Sequence, residues 1–110
     1  MAYDEELAHR IRAALSDVPD LTERSMFGGL GFMVAGNMAV AAASKGSLMV
    51  RIDPADAEQL TQADGVDRME MRGRRMDGWL LVEQSALQDD AALQTWIGRG
   101  LDYARALPPK

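Results

Sequence analysis

Four arginines around one acid are the residues whose types and spacing first suggest chemistry. Arg68, Arg72, Arg74 and Arg75 against Glu70 give a local net charge of +3 inside a chain whose formal charge is -5. A guanidinium presents a rigid fork of donors that matches carboxylate or phosphate. The stretch "RGRRMD" at residues 72–77 therefore reads as a basic loop between strands, with Gly73 at its turn, suited to an acidic partner. Direct nucleic-acid binding calls for a recognition helix or interleaved aromatic residues, and neither accompanies the loop. The acidic balance of 17 Asp and Glu against 12 Lys and Arg also disfavours general affinity for phosphate backbones or anionic lipid.

Catalysis and cofactor binding find less support. "GGLG" at residues 28–31 suggests a phosphate loop, but Val34 stands where the dinucleotide pattern needs its third glycine, and Lys45-Gly46-Ser47 reverses the order a nucleotide loop requires. The paired glycines are better read as a bulge or tight strand corner. Asp53, Asp56, Glu58, Asp64 and Asp67 lack the alternating ligands and closing Glu of a calcium loop, and the first three suit a helix start. Met69, Met71 and Met76 have a spacing that a Cu(I) site could use. With no cysteine and one histidine in the chain, these thioethers are read instead as core fillers or an adaptable binding surface. His9 falls off the apolar stripe of its helix and should face solvent. Ser25, Ser44, Ser47 and Ser85 are present, but a nucleophile needs a base and an orienting group that the sequence alone does not place. No catalytic residue, metal or cofactor is expected.

The elements that position these residues follow from periodicity. Leu7, Ile11, Ala14, Leu15 and Val18 recur at helical spacing, and the helix ends near residues 18–20. Between Arg24 and Lys45 run 20 residues without a charge. Their length and a small-residue stripe of Gly31, Ala35, Ala39 and Ala43 suit a membrane helix. Glycines interrupt the run, however, and Ala35-Gly36-Asn37 supplies a turn between "LGFMV" and "MAVAA". After "SKGS" the chain resumes as "LMVRI", so three short strands explain the spacing better than one span.

Asp53 and Pro54 open a short helix running to about Gln62. "VDRMEM" and "GWLLVE" read as strands. A final helix starts at Asp89 or Asp90 and carries Leu93, Trp96, Ile97, Leu101, Ala104 and Leu107 on one stripe. Gly100 lies on that face, where a missing side chain allows close approach to a sheet, and "LPPK" stops the helix. The order α-β-β-β(-β)-α-β-β-α, with strands in runs, implies an α+β fold: a two-layer arrangement with an antiparallel sheet. A chain of 110 residues, 47% apolar and 26% charged, is expected to form one soluble domain over residues 1–110. The absence of cysteine and of a secretory signal in "MAYDEELAHR" points to a bacterial-type cytoplasmic protein.

Taken together, "SMFGGLGFMVAGNMAV", "LMVRI", "MEMRGRRMDGW" and "WIGRGLDYARALPPK" resemble the N-terminal domain of TfoX, also called Sxy, the regulators of bacterial competence. Met26-Phe27-Gly28-Gly29, Gly73, Gly78-Trp79 and Leu107-Pro108-Pro109 carry the resemblance through their order and spacing. It implies a fold similar to secretion-chaperone-like domains and a non-enzymatic regulatory role, in which better-known members act with a transcription activator to switch on DNA-uptake genes. Those members carry a further C-terminal helical domain, whereas this chain is expected to act as a stand-alone domain.

The expected function is therefore binding of a protein partner, such as a transcription regulator. The contact residues expected are Arg72, Arg74, Arg75, Met76 and Asp77, with Arg51, Met26 and Phe27 as second choices. Gly28, Gly29, Gly36, Asn37, Gly78, Trp79, Trp96 and Gly100 are expected to be architectural. The alternatives are a small-molecule binder or enzyme with a pocket between sheet and last helix, and direct DNA binding. Unpaired edge strands leave homodimerisation by strand addition open.

Overall fold

Asp4 begins the first element by accepting hydrogen bonds from the Glu6 and Leu7 amides at 2.9 and 3.4 Å, which caps helix α1, Glu5–Ala14. In the computed structural model, which describes residues 3–26, 28–43, 46–71 and 73–108, α1 buries Leu7, Ala8 and Ile11. Ala14, expected on that stripe, is exposed; Ala8 takes its place, and His9 faces solvent as expected.

The neutral stretch folds back on itself. Strands β1 (Leu21–Met26), β2 (Gly29–Val34), β3 (Asn37–Ala42) and β4 (Leu48–Arg51) form an antiparallel meander. Ala35 and Gly36, at φ 51° and 85°, make the tight reversal between β2 and β3. Asn37, expected in that turn, is instead the first residue of β3. It is buried, and its side-chain amide donates to the Pro108 carbonyl at 2.9 Å, tying down the chain beyond the last helix.

Asp53 accepts from the Ala55 amide at 3.0 Å and Pro54 opens a 3₁₀ turn over Pro54–Asp56, which continues as the short helix α2, Ala57–Leu60. Strands β5 (Val66–Met71) and β6 (Arg74–Val82) complete one six-stranded antiparallel sheet in the order β1-β2-β3-β4-β6-β5. A second 3₁₀ turn, Gln84–Leu87, leads to helix α3, Asp90–Ala106, capped by Asp89. The order is thus the four-strand form of the expected meander, with helices and sheet forming an α+β fold.

All three helices pack on one face. Phe32, Val40, Leu48, Val50, Leu80 and Val82 project from the sheet into a core closed by Leu7, Ile11 and Leu15, Ala57, and Leu93, Trp96 and Ile97. Arg10 fastens α1 to the start of α3, donating to the Leu87 carbonyl at 2.7 Å and to Asp90 at 2.8 Å. β3 carries one extra residue against β2, Ala39, where the register shifts between Phe32 and Met33. α3 crosses at this bulge. A Cβ on Gly100 would fall onto the Ala39 carbonyl oxygen and lie 2.8 Å from Val40 Cγ1, so the close approach expected at Gly100 is present. Among the described residues no helix is long and apolar enough to cross a membrane.

Candidate protein-binding site

The β5–β6 hairpin carries most of the predicted contact residues. At its tip Glu70 pairs with Arg75 and Met71 with Arg74, and Gly73 makes the turn at φ 78°. Residues 74–77 therefore lie within β6, not in a loop as expected: Arg74 and Arg75 find backbone partners across the hairpin, and residues 76 and 77 carry the strand on into a bulge. Below the tip the register breaks: Met69 alone faces residues 76–79 of β6. Gly78 sits in this bulge at φ 90°, where a Cβ would also lie 3.4 Å from the Ile52 carbonyl oxygen and 3.5 Å from Pro54 Cγ. Its own carbonyl accepts from the Ile52 amide at 2.8 Å. The kink thus joins the hairpin to the end of β4 and re-aims its tip.

Trp79 follows the kink and pairs with Arg51, the last residue of β4. The Arg51 guanidinium lies 5.6 Å from the centre of the Trp79 ring and 5.8 Å from that of Tyr103 on α3. Both distances are within reach of a cation–π attraction, and all three side chains are half-buried. Trp79, expected to be architectural, therefore also belongs to the site. Tyr103 was not anticipated; its only sequence signal is an aromatic ring at the rim of the apolar stripe of α3. Beside Tyr103, a cleft of about 420 Å³ opens between α2 and α3 over Ile52 and Leu60, with Asp53, Arg99 and Asp102 at its rim.

The predicted residues do not all meet. Arg51 and residues 74–77 share the end of the sheet that holds the β2–β3 reversal. Met26 closes β1 at the opposite end, beside the β3–β4 connection. Phe27 and Arg72 lie outside the described residues, as do Ser44, Lys45 and Pro109, and for Met26, Arg74, Arg75 and Asp77 the description is of the backbone. Met76 is half-buried in the bulge. Gly28 occupies the β1–β2 turn, Gly29 opens β2, and Trp96 is buried in the core with the Arg99 guanidinium 4.6 Å from its ring centre. Among the described residues no group of three His, Cys, Asp or Glu is placed to hold a metal ion. Elsewhere, Glu23 on β1 takes two hydrogen bonds from Arg12, at 2.7 and 2.8 Å, which hold its carboxyl below the usual range.

The family model of the TfoX N-terminal domain matches residues 13–104. The chain belongs to the TfoX N-terminal domain family. The matched stretch of this TfoX-type domain runs from the end of α1 to the last turn of α3, and so includes every strand and Arg51, Trp79 and Tyr103. Among solved structures the chain is similar to protein DR2400 of Deinococcus radiodurans, which carries the family-model domain DUF419, with a TM-score of 0.71 over 90% of this chain and 78% of that one. Their sequences are 16% identical, so the likeness is one of fold. No curated protein matches.

Proposed function

We propose that this TfoX-type domain is a cytoplasmic, non-enzymatic regulatory or adaptor module that acts by binding another protein through the kinked β5–β6 tip and the residues at its base. The supporting observation is Arg51, whose guanidinium lies near both the Trp79 and Tyr103 rings at the base of a hairpin whose sequence also holds Arg72, Arg74 and Arg75. Arginine and large aromatic side chains are the types that dominate binding energy at protein interfaces, and a guanidinium already ordered by two rings loses little freedom on binding. The basic tip would add steering toward an acidic partner.

Affinity purification with mass spectrometry from the source organism tests this reading. The triple variant Arg72→Ala, Arg74→Ala, Arg75→Ala and the single variant Arg51→Ala should each deplete the wild-type partner at least about tenfold, as loss of an interface anchor does. Recovery of every partner unchanged by both variants would refute it. A second reading, small-molecule binding, is favoured by the cleft over Ile52 and Leu60, where an apolar floor meets the charged rim of Asp53, Arg99 and Asp102. A ligand whose thermal stabilisation is abolished by Arg99→Ala but not by Arg51→Ala would support that alternative.

A further inference from the structure

The sheet has a second face, and its side chains form a pattern. Strand alternation turns Phe32, Val40, Val50, Leu80 and Val82 toward the helices, so Gly31, Met33, Ala41, Met49 and Leu81 beside them point the other way. On that open side Met33, Met38, Met49, Met69 and Leu81 are half-buried, and among the described residues none of them joins the helix-covered core. One cross-strand row runs the full width of the sheet: Arg24 pairs with Gly31, Gly31 with Ala41, Ala41 with Met49, Met49 with Leu81, and Leu81 with Asp67. The row is therefore basic at the β1 edge, small, then large, and acidic at the β5 edge.

Reversing this row gives its own complement. A second copy turned by a two-fold axis parallel to the strands would set Arg24 against Asp67, Gly31 against Leu81 and Ala41 against Met49, opposite charges meeting at the rim and small residues receiving large ones in the middle. We propose that two copies of this chain stack their open sheet faces in this way. Two-fold contacts are self-complementary by construction, and face-to-face sheets pack about 10 Å apart.

Several observations agree with the arrangement. Arg24 and Asp67 are both exposed, and the ion pairs among the described residues, Arg10–Asp90 and Arg12–Glu23, involve neither. Met38 lies over Gly31, its Cε 2.8 Å from where a Cβ would stand, so the hollow facing Leu81 is roofed by a thioether that can adjust its shape. Five inter-strand steps make the row about 24 Å wide. With strands of four to nine residues, this gives an interface near the lower end for specific complexes, and thus a concentration-dependent dimer.

Charge reversal at the two exposed rim positions tests the register without touching the core. In sedimentation velocity across a concentration series, the wild-type chain should pass from monomer to dimer. Arg24→Asp and Asp67→Arg should each weaken association about tenfold or more, since each places two like-charge contacts in the dimer. An equimolar mixture of the two variants should recover association as a heterodimer, because both contacts regain opposite charges. A wild-type chain that stays monomeric throughout would overturn the proposal. So would a dimer unaffected by either reversal, which would put the contact at a strand edge, or a mixture that fails to restore association.

Discussion

The two faces of the sheet are written in alternate residues of the same strands, yet they carry different kinds of side chain. The helix-covered face is built mainly from branched aliphatics and Phe32, all buried, while the open face holds methionine, alanine and glycine with Leu81 and two rim charges. Rigid side chains suit a surface whose partner is fixed by the chain itself, and flexible thioethers suit one whose partner arrives from outside. The sharpest way to break this comparison is to truncate neighbours on opposite faces of β2. Phe32→Ala should cost about 4 kcal/mol of folding stability, because it leaves a cavity among residues held by three helices. Met33→Ala, one residue on, should cost about 1 kcal/mol or less. Urea unfolding, at a dilution where the chain is monomeric, measures both. Equal losses would mean that the open face belongs to the core.

Asn37 tests how the covered face is closed at its end. It is a buried polar side chain, and its hydrogen bond to the Pro108 carbonyl holds the segment after α3 against the start of β3. Asn37→Ala removes the donor and should cost about 1–2 kcal/mol. Hydrogen exchange should quicken in the last turn of α3 more than near Gly100, where the helix is wedged against the Ala39 carbonyl. Uniform quickening along α3 would show that the amide contributes only global stability.

The covered face was legible in the sequence and the open one was not, for a physical reason. Leu7, Ile11 and Leu15 on α1, and Leu93, Trp96, Ile97 and Ala104 on α3, repeat at the helical period because each packs against one surface. The turn tripeptide divided the neutral stretch into β2 and β3, and "SKGS" set off β4 after it. β1 left little signal: Thr22, Glu23, Arg24 and Ser25 are exposed, and the strand exists through backbone pairing along an edge. The site at the hairpin base is harder still to read. Trp79 meets Arg51 through the β4–β6 register, and Tyr103 joins them only because α3 crosses where Gly100 allows it. The row from Arg24 to Asp67 needs the pairing of all six strands at once, which no local window contains.

The smallest effect is expected where the middle of β1 faces α1. Glu23 and Arg12 face each other from β1 and α1, and their side chains remain 33% and 41% exposed, so solvent screening keeps the pair weak. Hydrogen bonding from Arg12 is the largest influence, and with a smaller contribution from its charge it outweighs the opposing desolvation and lowers the carboxyl pKa. A carboxyl with a depressed folded pKa contributes its stability in full above the unfolded value, and loses it as pH falls through the folded one. Glu23→Gln should therefore lower the melting temperature slightly at neutral pH and leave it unchanged once the wild-type carboxyl is protonated. Melting curves of the two proteins should converge below the ordinary carboxylate range. Curves that stay parallel into strong acid would mean that Arg12 stabilises β1 through the packing of its side chain on the strand, not through the charge it faces.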